Sequence, residues 1–87
     1  MNFTLAWQPE AEDQLADLWA SATDRAMVTW AAREIDQRLG RDPLDQGEQR
    51  DGTDRLLFVP PLAVLFRVDV QTHRVYVVSV AWSGRPI

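Results

Sequence analysis

The chain has 87 residues, with nine basic side chains against thirteen acidic ones, a formal net charge of −4, and 46% hydrophobic residues. That length holds one domain, residues 1–87, the composition excludes intrinsic disorder, and no apolar run approaches the ~20 residues of a transmembrane helix. Without cysteine there is no disulfide, thiolate chemistry or cysteine-ligated zinc, and net negative charge argues against direct, sequence-independent binding to nucleic acid.

The first element is a strand over residues 2–7. Phe3, Leu5 and Trp7 alternate with Asn2, Thr4 and Ala6, the period of a half-buried strand. Pro9 ends it and suits the first turn of a helix, where Glu10, Glu12 and Asp13 match the helix dipole. That helix runs from Pro9 to Ser21. Ala11, Leu15, Leu18 and Ala22 form its apolar stripe, with Trp19 beside them. Thr23 or Asp24 caps a second helix with Val28, Ala31, Ile35 and Leu39 on one face, widened by Met27 and Ala32. Gly40 and Pro43 are its stop signals. Two helices so closely joined form an antiparallel hairpin.

Residues 41–54 are polar and rich in turn formers, and read as an ordered surface loop. A short strand follows over Arg55–Val59. Pro60 and Pro61 cannot donate to a ladder and belong in a turn or at an edge. Leu62–Val70 alternates, with Leu62, Val64, Phe66, Val68 and Val70 on one face and Ala63, Leu65, Arg67 and Asp69 on the other. Gln71, Thr72 and His73 make a hairpin turn. The last strand, Arg74–Trp82, is apolar on both faces, which marks a central position. Its alternation sets Val75, Val77, Ser79 and Ala81 opposite Tyr76, Val78, Val80 and Trp82. The order β-α-α-β-β-β predicts an α+β domain, with the helical hairpin packed on a mainly antiparallel four-stranded sheet.

This order, length and patterning resemble the RelE/ParE superfamily of toxins from bacterial type II toxin–antitoxin modules, which include plasmid stabilisation proteins. Four stretches carry the resemblance across nearly the whole chain. They are Trp7 and Pro9 running into Ala11, Leu15 and Leu18; Arg25–Val28 through Ile35 and Leu39 to Asp42–Pro43; Gly47–Arg50; and Val64–Asp69 followed by Val75–Val80. The resemblance implies a cytoplasmic protein with no cofactor, a cognate antitoxin as partner, and one of two targets. ParE-like members poison DNA gyrase; RelE-like members cleave mRNA on the ribosome.

RelE-like chemistry needs basic groups to hold phosphate and to activate the ribose 2′-hydroxyl. The resemblance expects an arginine where Ala63 stands, lysines or an acid near Asp54 and Leu56, and a basic residue near Ser83. Those ribonuclease residues are mostly missing, so no catalytic role is expected; a rearranged ribonuclease site would draw on Arg50, Arg55, Arg67 and Arg85. The ParE-like pattern fits better. Phe66–Arg67 supplies its aromatic–arginine pair, and Val80 to Arg85 its C-terminal run, with Trp82 where that branch has histidine. Arg67, Trp82 and Arg85 are therefore the expected contacts to target or antitoxin, within a ParE-like toxin acting by protein–protein contact. A non-toxic binding module that kept the fold is the further alternative.

Each of these residues also has a plainer reading. Arg67 suits an exposed ion pair. Arg50 and Arg55 suit pairing with Asp51 and Asp54. Trp82 divides between core and interface, whereas Trp7, Trp19 and Trp30 are expected in the core. His73 reads as a solvated turn residue despite Asp69 and Ser79 in the chain, since a triad is defined by geometry. One histidine and scattered carboxylates give no metal-ligand spacing.

Overall fold

A computed structural model describes residues 2–50 and 52–84. The elements are β1 (Thr4–Trp7), α1 (Pro9–Ser21), α2 (Arg25–Arg41), a 3₁₀ turn (Pro43–Asp45), β2 (Glu48–Gln49), β3 (Asp54–Val59), β4 (Leu62–Asp69) and β5 (Arg74–Trp82). Pro9 opens α1 as expected. Of the two candidate caps for α2, Asp24 takes the role. Its carboxylate accepts the Met27 N–H at 3.2 Å, satisfying one orphan donor of the first turn. Gly40 does not stop α2, which continues through Arg41. The Gly40 carbonyl instead accepts the Phe3 N–H at 2.9 Å and ties the chain start to the helix end.

Both helices lie on one face of the sheet, α1 chiefly over β5, and α2 reaching β1, β3 and β4. Strand order is β1-β5-β4-β3-β2. The expected four-stranded, mainly antiparallel sheet is corrected to a five-stranded mixed one. The extra strand is β2, two residues of the polar loop paired antiparallel with β3 through Glu48–Leu56 and Gln49–Arg55. The parallel pair is β1 with β5, from Thr4–Arg74 to Trp7–Val77. The helical hairpin carries the chain from β1 across the sheet to β2 at the far edge, and β3 and β4 lead back to β5.

Val28, Ala31, Ile35 and Leu39 from α2 meet Leu57, Val59, Leu62, Val64, Phe66, Val75, Val77 and Val80 from the sheet to form the core. Burying a side chain of the Leu, Ile or Phe type stabilises by about 1.5–3 kcal/mol, so this layer dominates folding. β5 does not keep one alternation throughout. Phe66 pairs with Val77, but Leu65 pairs with Ser79, which leaves Val78 as an extra residue, a β-bulge. Val75 and Val77 therefore share the helix side with Val80 and Trp82. This corrects the strict alternation expected for β5, which set Val80 and Trp82 opposite them.

The tryptophans also need correction. Trp7 packs against the core, but Trp19 and Trp30 are 44% and 50% exposed on the helical hairpin. Met27, expected to widen the buried stripe, is exposed as well. With so little residue volume between two short helices and the sheet, Val28, Ala31, Ile35 and Leu39 fill the space, and the larger side chains remain outside. None of the described helices is long and apolar enough to cross a membrane.

Candidate functional site

The face of the sheet away from the helices has neither helix over it, although Leu56 and Ala63 on it are buried. It carries Asp54, Leu56 and Phe58 of β3, Ala63, Leu65 and Arg67 of β4, and Tyr76 of β5, as the cross-strand register dictates. Antiparallel partners share a face, so Arg67 lies between its two opposites, Asp54 and Tyr76. Its Nε donates to Asp54 Oδ1 at 2.9 Å, with the arginine side chain half exposed. Arg67 borders an open groove of about 640 Å³, whose lining also includes Gln8, Glu10, Asp69, Tyr76 and Val78.

The same register separates the arginines. Arg55 pairs with Phe66, a core residue, and so lies on the helix side, opposite in face to Arg67. Its guanidinium is used structurally. Nε donates to the Gln46 carbonyl at 3.0 Å and Nη2 to the Gly47 carbonyl at 3.5 Å, which holds the loop before β2. Arg50 follows β2 and faces Glu48 at 3.8 Å. Its backbone N–H bonds the Asp54 carbonyl at 2.8 Å. Arg55 is thus set apart from Arg67, whereas Arg50, two residues past Glu48 and opposite Asp54, falls on the Arg67 face with Asp54 between the two arginines. Arg85 lies outside the described residues.

Trp82 pairs with the fully buried Leu62 and packs half-buried against the core. Its remaining surface borders a second groove of about 620 Å³ with Met27, Pro60 and Pro61. It therefore stands on the helix side of the sheet, away from Arg67. His73 is a turn residue with φ 53°, and its ring lies 5.2 Å from that of Phe3. Its carbonyl accepts the Thr4 N–H at 2.8 Å. Among the described residues no cluster of histidines and carboxylates is placed to hold a metal ion. Residue types alone gave no sign of Tyr76 beside Arg67; only the register of β4 against β5 brings them together.

Comparison with solved structures adds the decisive likeness. A chain of the RelBE2 toxin–antitoxin complex of Mycobacterium tuberculosis matches with a TM-score of 0.77 and 16% identity, over 94% of this chain and 99% of that one. The chain has the RelE/ParE toxin fold. Two further neighbours agree. The chromosomal ParDE system of P. aeruginosa matches with a TM-score of 0.70 and 16% identity, over 92% of this chain and 95% of that one. The RelE–RelB complex of Pyrococcus horikoshii matches with a TM-score of 0.70 and 14% identity, over 99% and 100%. No family model matches the sequence, and curated proteins give no match either. Each of these likenesses spans more than nine-tenths of both chains.

Proposed function

We propose that the chain is the toxin of a type II toxin–antitoxin module, held inactive by a cognate antitoxin. We infer a ParE-like mode, in which it acts by protein–protein contact on a target such as DNA gyrase. The observation that carries the toxin reading is the match in fold to chains of three toxin–antitoxin systems over nearly the full length of both partners. The ParE-like mode is supported by the arrangement of the arginines. Arg67 is neutralised by Asp54 and Arg55 is turned to the opposite face. Phosphate chemistry needs convergent positive charge, and the net charge of −4 opposes it further.

A second reading is RelE-like cleavage of mRNA on the ribosome, and one observation favours it. Arg67 and Tyr76 stand side by side at an open groove, a cation and a proton-carrying hydroxyl on one surface. A third is a non-toxic binding module with the same fold. Inducible expression in a bacterial host, followed by colony counts, plasmid topology and mRNA integrity, separates the three. Arrest with altered supercoiling supports the gyrase reading. Arrest with cleaved mRNA, abolished by Arg67→Ala, supports the ribonuclease. Soluble expression without arrest leaves the binding module.

A further inference from the structure

The helical hairpin carries a hole and a knob. The hole is an open groove of about 480 Å³ between α1 and α2. Trp7, Leu15, Trp19 and Ala32 form its apolar lining, with Glu12 from α1 and Arg33 from α2 also bordering it. Both tryptophans are held in place. The Trp7 indole N–H donates to Asp36 Oδ1 at 2.8 Å. The Arg25 guanidinium sits 4.7 Å over the Trp19 ring, while its Nε and Nη2 donate to the Trp19 and Ala20 carbonyls at 3.1 and 3.0 Å. A groove whose walls are already fixed loses little conformational freedom when it is filled.

The knob is Trp30. It is 50% exposed on α2, three residues before Arg33 and therefore its neighbour on the helix surface. Of the large apolar side chains exposed among the described residues, Trp19, Met27 and Trp30 belong to the hairpin, and Leu44, Phe58 and Val70 lie elsewhere. Aromatic side chains entering fixed apolar pockets are the usual anchors of protein interfaces.

We propose that this hairpin is a self-association surface, on which two copies of the chain pair about a two-fold axis with each Trp30 entering the groove of the other. The surface is complementary to itself. It has one aromatic knob, one apolar hole, and flanking charges of both signs, Glu12 on α1 and Arg33 on α2, with Asp36 of α2 engaged by the Trp7 indole. A two-fold axis that sets α1 of one copy against α2 of the second brings Glu12 toward Arg33 of the second copy, twice over. Such pairing closes on itself and leaves no end from which to propagate. The proposal holds whether or not the chain is a toxin, because it rests on the helix side alone.

Sedimentation velocity and light scattering between about 1 and 200 µM test it, a range that brackets micromolar pairing. A concentration-dependent dimer is expected. Trp30→Ala raises its dissociation constant about 30-fold, as loss of an interface anchor does. Glu12→Arg alone and Arg33→Glu alone each weaken pairing, and the double charge swap restores it. All three positions are exposed, and circular dichroism confirms that each variant is folded. A chain that stays monomeric throughout overturns the proposal and leaves the groove to a partner protein. A dimer indifferent to Trp30→Ala, or a double swap no better than the single changes, overturns it equally.

Discussion

The Gln14 side chain of α1 accepts the backbone N–H of Val80 at 2.9 Å, across 66 positions of sequence. The same Oε1 accepts the Ser79 hydroxyl at 3.2 Å. These bonds sit next to the bulge at Val78, where β5 changes phase. Gln14 thus supplies a partner just where the ladder is interrupted, and helps to fix which face Val80 and Trp82 occupy. Gln14→Leu removes the acceptor and leaves a half-buried N–H unmet, at a cost of about 1–3 kcal/mol. Gln14→Glu retains an oxygen acceptor and costs less. Urea denaturation of the two variants checks the order.

Gly47 has φ 70°, and a Cβ there runs into the carbonyl oxygen of Leu56 on β3. Gly52 has φ 63° with open space around it. Gly52→Ala therefore meets backbone strain alone, about 1–2 kcal/mol. Gly47→Ala meets that strain and a backbone clash, and disrupts the pairing of β2 with β3. Parallel denaturation curves are expected to place Gly47→Ala clearly below Gly52→Ala in stability.

Much of this architecture was legible before the structure. Pro9, the apolar stripe of α2 and the alternation of β4 mark their elements directly, and those spans agree closely with the observed ones. The bulge was not legible because β5 is apolar on both faces, so the run from Val75 to Val80 accepts either phase. The parallel pairing of β1 with β5 joins residues about 70 positions apart, and no local pattern encodes it. Trp19 and Trp30 read as core residues from size and hydrophobicity, but the space beneath the hairpin is filled by smaller side chains. For the site, Arg67 was recognisable from its place after Phe66. Its pairing with Asp54 and its separation from Arg55 follow from a register set by the whole sheet.

The Arg67–Asp54 pair is exposed on the arginine side, so it contributes little to folding. Arg67→Ala is expected to change stability by no more than about 1 kcal/mol. A double-mutant cycle with Asp54→Asn, run at low and high salt, checks this, and the coupling should shrink as salt rises. Any larger effect of Arg67→Ala on growth arrest or on partner binding then belongs to the surface and not to the fold.

Arg25 closes the C-terminal end of α1 from outside the helix, by bonding two of its last carbonyls and covering the Trp19 ring. The last turn of α1 has no basic residue of its own. Arg25→Ala is expected to cost about 1–2 kcal/mol from the lost carbonyl partners and the cation–ring contact. Arg25→Lys recovers only part, because an ammonium lacks the planar fork that reaches both carbonyls. Thermal unfolding of the three proteins gives the comparison.

The toxin reading is tested most directly by inducible expression in bacteria, scored by colony counts with and without the product of any small gene found beside its own, the candidate antitoxin. The account predicts growth arrest at verified soluble expression, relieved when the neighbouring protein is made together with it. Undiminished colony counts at the same soluble level, with or without that neighbour, would contradict it.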